Sequence, residues 1–201
     1  LTITEANGVV TIVYKGTTYI IPKLPPMSHS MTFTTTKNVG ESILLMISAA
    51  EADRADVWID LNNNGVKDSG ENDIFFDHYK NYTLGSQTVT IYGKVTAFDC
   101  INQNLTALDV TKNPALQELY CCINSLSTLD VSKNTVLMQL YIYTNQIKKT
   151  AMDNLVNSIV DRTGNTPGEY YFKEGSEEEN EFDASHASAL ADKNWQKGGL
   201  G

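Results

Sequence analysis

Leu116-Gln-Glu-Leu119-Tyr-Cys121-Cys-Ile-Asn124-Ser-Leu126 is followed 21 residues later by Leu137-Met-Gln-Leu140-Tyr-Ile142-Tyr-Thr-Asn145-Gln-Ile147. The stretches around this pair match as well, because Leu105-Thr-Ala-Leu108-Asp-Val110-Thr-Lys-Asn113 is echoed by Leu126-Ser-Thr-Leu129-Asp-Val131-Ser-Lys-Asn134. A more degenerate copy begins at Val95, with Phe98 in place of Leu and Gln103 in place of Asn. A fixed period of this length indicates structural units that stack side by side and bury an apolar edge that none could bury alone.

The spacing within the clean copies, with Leu at i and i+3, an apolar residue at i+5 and Asn at i+8, is the leucine-rich-repeat pattern. It predicts an α+β repeat protein: a short leucine-rich-repeat solenoid of about three 21-residue coils with parallel strands. Because so few coils are near the minimum for stability, we expect an N-terminal β cap and a C-terminal helix–strand–helix cap.

The rest of the chain divides into three segments around the repeats at 94–147. Residues 1–28 predict a β-hairpin arm, with a turn at Asn7-Gly8, and a Pro-rich linker. Residues 29–93 predict a β-rich cap whose strands include Asp73–Phe76. Residues 148–201 predict an α/β cap in which helices at 150–161 and 184–193 flank a strand at 170–172.

Composition narrows the function classes. The net charge of -9 argues against nucleic-acid binding, which needs clustered Lys and Arg. No apolar run approaches the length of about 18 residues that a membrane span needs. Leu1 is not a natural start residue, and we expect an export segment upstream of this chain. Cys100 and Cys121 occupy equivalent inward positions and predict small buried hydrophobes rather than a disulfide framework.

Alternation along the repeat strands predicts which side chains are accessible. Leucines point inward, while Asn124 and Asn145 lie at the turn that leaves the strand, where an amide can satisfy backbone groups. The outward side chains form three columns, which are Ala97, Glu118, Gln139; Asp99, Tyr120, Tyr141; and Ile101, Cys122, Tyr143. We expect a contiguous tyrosine patch and a binding surface made of Asp99, Glu118, Tyr120, Gln139, Tyr141 and Tyr143. The alternative is that tyrosine serves strand propensity and sheet stability alone.

A second candidate site lies at residues 60–71. Asp60-Leu-Asn62-Asn-Asn64-Gly65-Val66-Lys-Asp68-Ser-Gly-Glu71 fits the calcium-loop pattern D-x-[DN]-x-[DN]-G-x5-E. The expected ligands are the side chains of Asp60, Asn62, Asn64, Asp68 and Glu71 with the Val66 carbonyl, around a turn at Gly65. The flanking residues are strand-like, so the pattern predicts a structural calcium on a β scaffold. A solvated hairpin at Asn64-Gly65 is the alternative.

Catalytic patterns are weak. His29, His78 and His186 lie in three separate regions with no ligand or triad spacing. Cys122 is the candidate for an exposed thiol, but nothing in the sequence would lower its pKa. We therefore expect a protein that is not an enzyme.

The motifs at Leu105–Asn113 and Leu119–Ser125 resemble the internalin-like leucine-rich-repeat surface proteins of Bacteroides-type bacteria. The similarity runs from about residue 30 to residue 195 and includes Trp195, whereas the residues after Trp195 depart from the family's closing strand. The resemblance implies export, often as a lipid-anchored protein of the outer surface, with an adhesion role and no catalytic residues.

The leading hypothesis is therefore a cell-surface or secreted recognition module that binds a protein or glycan through the repeat sheet. The alternative is a non-catalytic spacer or scaffold within a larger surface protein.

Overall fold

The computed structural model describes residues 2–6, 9–22, 29–175 and 179–199. In these residues the strands are β1 (Thr2–Ala6), β2 (Val9–Tyr14), β3 (Thr17–Pro22), β4 (Ser30–Thr35), β5 (Ser42–Ser48), β6 (Trp58–Asp60), β7 (Tyr79–Thr83), β8 (Thr88–Tyr92), β9 (Ala97–Asp99), β10 (Leu105–Asp109), β11 (Glu118–Tyr120), β12 (Gln139–Tyr141), β13 (Gly168–Tyr171) and β14 (Trp195–Lys197). The helices are α1 (Lys149–Ser158) and α2 (Ala184–Asp192), with a 3₁₀ turn at Glu51–Asp56.

The N-terminal strands form a sheet of their own. The order is β1-β2-β3, with each neighbouring pair antiparallel. Lys15 and Gly16 both have positive φ at the turn between β2 and β3, as a tight hairpin turn requires. The predicted turn at Asn7-Gly8 and most of the predicted linker lie outside the described residues.

Two further sheets enclose the core. One has the order β10-β4-β8-β6, and all of its pairs are antiparallel. The other has the order β14-β13-β12-β11-β9-β5-β7, in which β9 and β11 to β14 are parallel, while β5 pairs antiparallel with both β9 and β7. One continuous apolar cluster joins both sheets and reaches from Met31 to Trp195. Phe33 and Phe98 stack across it with ring centroids 6.2 Å apart.

The predicted leucine-rich-repeat solenoid is wrong. The chain is mainly β, with three sheets, one of them a mixed sheet of seven strands, and only two α-helices in its described part. The 21-residue period does bring β9, β11 and β12 into parallel register, but β5 extends the same sheet in the antiparallel sense. Residues Leu105–Asp109, which belong to the first repeat, pair instead with β4 in a different sheet. The repeats therefore do not close an interior by themselves, since β4, β5 and β8 supply part of it.

Two local predictions near the ends of the large sheet also need correction. Residues 73–76 form no strand. Ile74 and Phe76 pack onto the core from a loop, and the strand at this edge of the large sheet is β7. The residues after Trp195 do form a closing strand, since β14 pairs in parallel with β13. Gly168 permits that pairing, because a Cβ on it would stand 2.6 Å from the Trp195 ring.

Buried asparagines hold the turns that follow the parallel strands. The Asn124 Oδ1 atom accepts from the amides of Gln103 and Leu105 at 3.1 and 2.9 Å, and its Nδ2 atom donates to three carbonyls. Asn145 repeats this role one strand further on, accepting from Leu126 N at 2.9 Å and donating to two carbonyls. The residue before each asparagine, Ile123 or Thr144, has positive φ, which is costly for a β-branched side chain. The amides therefore satisfy the backbone of turns that are conformationally unfavourable.

Asn180 extends this column beyond the repeat. Its Oδ1 atom accepts from Ile147 N at 3.0 Å, and its Nδ2 atom donates to the carbonyls of Ile142 and Phe172. Because Asn180 lies 35 residues after Asn145, outside the 21-residue period, the repeat pattern did not reveal it.

We predict that Asn124→Leu lowers the free energy of unfolding by at least about 2 kcal/mol, because each orphaned backbone amide costs about 1–3 kcal/mol. Urea unfolding followed by circular dichroism measures this. Asn154→Leu, at an exposed position of α1, is the matched control and should change stability by less than about 0.5 kcal/mol. Equal stability of the two variants would contradict the role assigned to the asparagine column.

Candidate functional site

Three tyrosines line up on the outward side of the parallel strands. Tyr120, Tyr141 and Tyr171 are in register on β11, β12 and β13, and all three are half-buried. The Tyr120 and Tyr141 ring centroids lie 5.2 Å apart in an edge-on arrangement, and those of Tyr141 and Tyr171 lie 6.0 Å apart. A parallel column of Glu118, Gln139 and Glu169 runs beside them. We call these six residues, together with Asp99 on β9, the tyrosine face.

The tyrosine hydroxyls are tied to the neighbouring column. The Tyr120 hydroxyl has one hydrogen to donate, and two acceptors are within reach of it: Glu118 Oε2 at 3.2 Å and Gln139 Oε1. The Tyr141 hydroxyl donates to Glu169 Oε2 at 3.3 Å. Burial and then the Glu118 carboxylate raise the pKa of Tyr120, so its hydroxyl stays protonated. These bonds fix the orientation of the two rings.

Asp99 is a nearly buried carboxylate at the β9 end of the face, with 5% of its surface exposed. It accepts from the Tyr79 hydroxyl at 2.5 Å and from Ile101 N at 2.9 Å. Burial raises the pKa of the Asp99 carboxyl, although the Tyr79 bond opposes that shift. Burial also raises the pKa of Tyr79 to about 12. Within the described residues no Lys, Arg or His forms an ion pair with Asp99.

The structure assembles most of the predicted binding surface but not all of it. Glu118, Tyr120, Gln139 and Tyr141 share one face, and Asp99 is in register with Tyr120. Tyr143 was expected to be accessible, yet it is only 7% exposed, because it packs edge-on against Tyr171 with centroids 5.1 Å apart. Cys122 was the candidate for an exposed thiol and is fully buried, and burial raises its pKa. Cys100 and Cys121 are buried and free, as predicted.

Tyr171 and Glu169 are the residues that sequence reasoning missed on this face. They lie on β13, which falls outside the 21-residue period, so the repeat did not place them. The Tyr170–Phe172 strand prediction contained a usable signal. Alternation along that strand, with a buried Tyr170 and Phe172, turns Tyr171 to the opposite side.

We predict that Asp99→Asn stabilises the protein at neutral pH, because it removes an ionised carboxylate from a buried position and keeps an oxygen for Ile101 N. A raised folded-state pKa means that the wild type gains stability as the pH falls. The advantage of the variant should therefore be largest above the raised pKa of Asp99 and shrink as the pH falls toward the ordinary value of 3.8. Thermal unfolding at several pH values measures the difference, and an advantage that grows on acidification would contradict this account.

The loop at residues 60–71 wraps its polar groups inward. Asp60 is fully buried and accepts from the amides of Asn64 and Gly65 at 3.0 and 2.8 Å. Glu71, which is 4% exposed, accepts from Leu61 N at 2.9 Å and Asp68 N at 2.8 Å. Gly65 has φ +75, the left-handed conformation that the turn needs.

Three further side chains of the loop meet at one point. The Nδ2 atoms of Asn62 and Asn64 each lie 2.8 Å from Asp68 Oδ2. These bonds lower the pKa of the Asp68 carboxyl. The Asn62 and Asn64 Oδ1 atoms bind the backbone amides two residues ahead. In the described residues, no group of three or more His, Cys, Asp or Glu side chains is placed to hold a metal. A calcium ion in this loop would therefore need amide and carbonyl oxygens as well as the carboxylates.

His186 has a structural role, because hydrogen bonds hold both of its ring nitrogens. Asp183 N donates to its Nδ1 atom at 3.1 Å and Asp183 Oδ1 accepts from His186 N, which closes a capping box at the start of α2. Its Nε2 atom lies 2.8 Å from Asp153 Oδ1, and this contact ties α2 to α1. These bonds account for both ring nitrogens of the buried imidazole.

Comparisons with known proteins leave the family open. No protein family, no curated protein and no solved structure matches the chain. The resemblance to exported repeat proteins therefore stays a prediction. Among the described residues no helix combines the length and apolar character that crossing a membrane requires.

Proposed function

We propose that this chain is a non-catalytic recognition module of a cell-surface or secreted protein, and that it binds a protein or glycan partner through the tyrosine face. The observation that supports this most is the register of Tyr120, Tyr141 and Tyr171, which places three half-buried aromatic rings side by side on an outward surface. Tyrosine gives a large contact area with little rotamer entropy to lose, which is why it is enriched in binding surfaces.

The locked hydroxyls also support a binding role. A surface tyrosine that served strand propensity alone would need no fixed orientation, whereas the hydroxyls of Tyr120 and Tyr141 are held by Glu118, Gln139 and Glu169. The alternative function, a spacer or scaffold, is favoured by the contacts of the rings with one another, since cross-strand aromatic pairs stabilise a sheet.

We predict that Tyr120→Ala/Tyr141→Ala/Tyr171→Ala loses partner binding by roughly tenfold or more, because central aromatic residues dominate interface energies. A glycan array and a panel of purified extracellular proteins, probed with both forms, measure this. Tyr14→Ala, which removes an exposed tyrosine from the N-terminal sheet, is the matched control and should bind like the wild type. Equal binding by the triple variant and the wild type would favour the scaffold function instead.

We further propose that residues 60–71 hold a structural calcium ion. The side chains of Asp60, Asn62, Asn64, Asp68 and Glu71 and the carbonyl of Val66 would be its ligands, with each amide turned to present oxygen. The support is the burial of Asp60 and Glu71, since no basic side chain of the described residues pairs with either carboxylate. A divalent cation would neutralise this charge and stiffen the loop that follows β6.

We predict that chelator-stripped protein binds calcium with a Kd of about 10⁻⁴ to 10⁻³ M, the range of extracellular sites. A hundredfold excess over Kd should then stabilise the fold by about 2.7 kcal/mol. Titration calorimetry and thermal unfolding measure both effects. Asp60→Asn should abolish them, whereas Asp192→Asn, on the exposed side of α2, should not. The absence of heat and of any thermal shift at millimolar calcium would refute the site.

A further inference from the structure

The tyrosine face carries a strong local charge asymmetry. Its carboxylates are Asp99, Glu118 and Glu169, all on the outward side of neighbouring parallel strands. Along these parallel strands, within the described residues, Lys197 at the β14 edge is the basic side chain that reaches the face. The chain as a whole carries a net charge of -9. Complementary charge therefore favours a cationic partner and disfavours an anionic one.

The hydrogen-bonding groups left on the face are mostly acceptors. The hydroxyls of Tyr79, Tyr120 and Tyr141 already donate to side chains of the face. Each carboxylate offers about four lone-pair sites, and these internal bonds use only part of them. A sugar hydroxyl has one donor and two acceptor sites, whereas ammonium and guanidinium groups only donate. The remaining acceptors thus match cations better than they match a glycan.

One contact within the fold already shows the expected interaction. The Lys197 Nζ atom lies 5.5 Å from the centroid of the Tyr171 ring, in the range of a cation–π contact. It occupies the last ring of the row, at the β14 edge. Tyr120 and Tyr141 carry rings of the same kind beside Glu118 and Glu169, and no cation–π contact occupies either ring in the described residues.

The spacing of the rings suits an extended polypeptide. Their centroids are 5.2 and 6.0 Å apart, and alternate side chains of an extended chain lie about 6.6 Å apart on one side. Successive cations of such a segment can therefore meet successive rings. At the β9 end, Asp99 is buried without a counter-ion, so a cation placed beside it offsets an existing electrostatic cost.

We infer that the tyrosine face binds a cationic segment of a partner polypeptide, with Arg or Lys side chains seated on the tyrosine rings between Asp99, Glu118 and Glu169. This inference rests on the proposed recognition function and names the chemical class of its partner. Arg fits best, because its planar guanidinium stacks on an aromatic ring and bonds carboxylates at its edge.

The experiment uses a synthetic peptide in which Arg alternates with Ser, and the same peptide with citrulline, the neutral analogue of Arg. Titration calorimetry on the whole chain should show that the Arg peptide binds at least about tenfold more tightly, a difference of 1.4 kcal/mol. The affinity should fall as salt is raised, because the carboxylates of Glu118 and Glu169 are partly exposed. Equal binding of the two peptides would overturn the inference.

Two variants separate the effect of the carboxylates on the tyrosine face from the effect of the net charge of the chain. Asp99→Asn/Glu118→Gln/Glu169→Gln should weaken the Arg peptide by about tenfold or more, while thermal unfolding verifies that the variant is folded. Glu51→Gln/Asp56→Asn/Asp192→Asn removes the same formal charge from exposed positions elsewhere and should leave binding within about twofold. Equal losses in both variants would show non-specific attraction and would overturn the inference.

Binding measurements with neutral oligosaccharides, such as maltoheptaose and chitohexaose, distinguish this inference from the proposed recognition function. If they bind in a manner that Tyr120→Ala/Tyr141→Ala/Tyr171→Ala abolishes, while the Arg peptide does not bind, the partner is a glycan. The inference then fails and the recognition function stands. If no peptide, glycan or protein binds in a tyrosine-dependent manner, both fail.

Discussion

Parallel strands of three or four residues form few hydrogen bonds with each neighbour. Each strand therefore needs further contacts that hold it in register while the chain turns back to begin the next. In this protein the amides of Asn124, Asn145 and Asn180 do so, because each bonds the main chain of two successive turns. Their burial excludes water as a competing partner, so losing one leaves backbone groups unsatisfied. The alignment of β9, β11, β12 and β13 depends on this column.

The tyrosine face is a consequence of that alignment. Residues at the same place in successive strands become neighbours, so Tyr120, Tyr141 and Tyr171 form a row although they are far apart in the chain. The same register sets carboxylates beside the rings, and the carboxylates in turn orient the tyrosine hydroxyls. A surface built in this way is rigid and acidic. It also includes Asp99, a carboxyl group whose pKa is raised by burial and which accepts from Tyr79 and Ile101 N.

The sheets beyond the repeats decide the architecture. β5 continues the large sheet in the antiparallel sense, β7 pairs antiparallel with β5, and β10 leaves the repeat to pair with β4. Nothing in the 21-residue period encodes these pairings, because they join segments with unrelated patterns. The period describes how the repeats contact one another, but not how the flanking strands share their core. For that reason the period predicts how the repeat strands pair with one another, whereas the solenoid predicted from it is wrong.

The sequence by itself determined the parallel register of β9, β11 and β12, the inward cysteines Cys100 and Cys121, and the turn role of Asn124 and Asn145. Each follows from a period of 21 residues and from alternation along a strand, which are local properties. It also placed both α-helices to within a few residues. Only the tertiary structure decided that Tyr143 is buried and that Tyr171 is the third tyrosine of the face. It also decided that Asn180 continues the asparagine column. Those positions depend on β13 and the segment after it, which pack against the repeat without repeating its spacing.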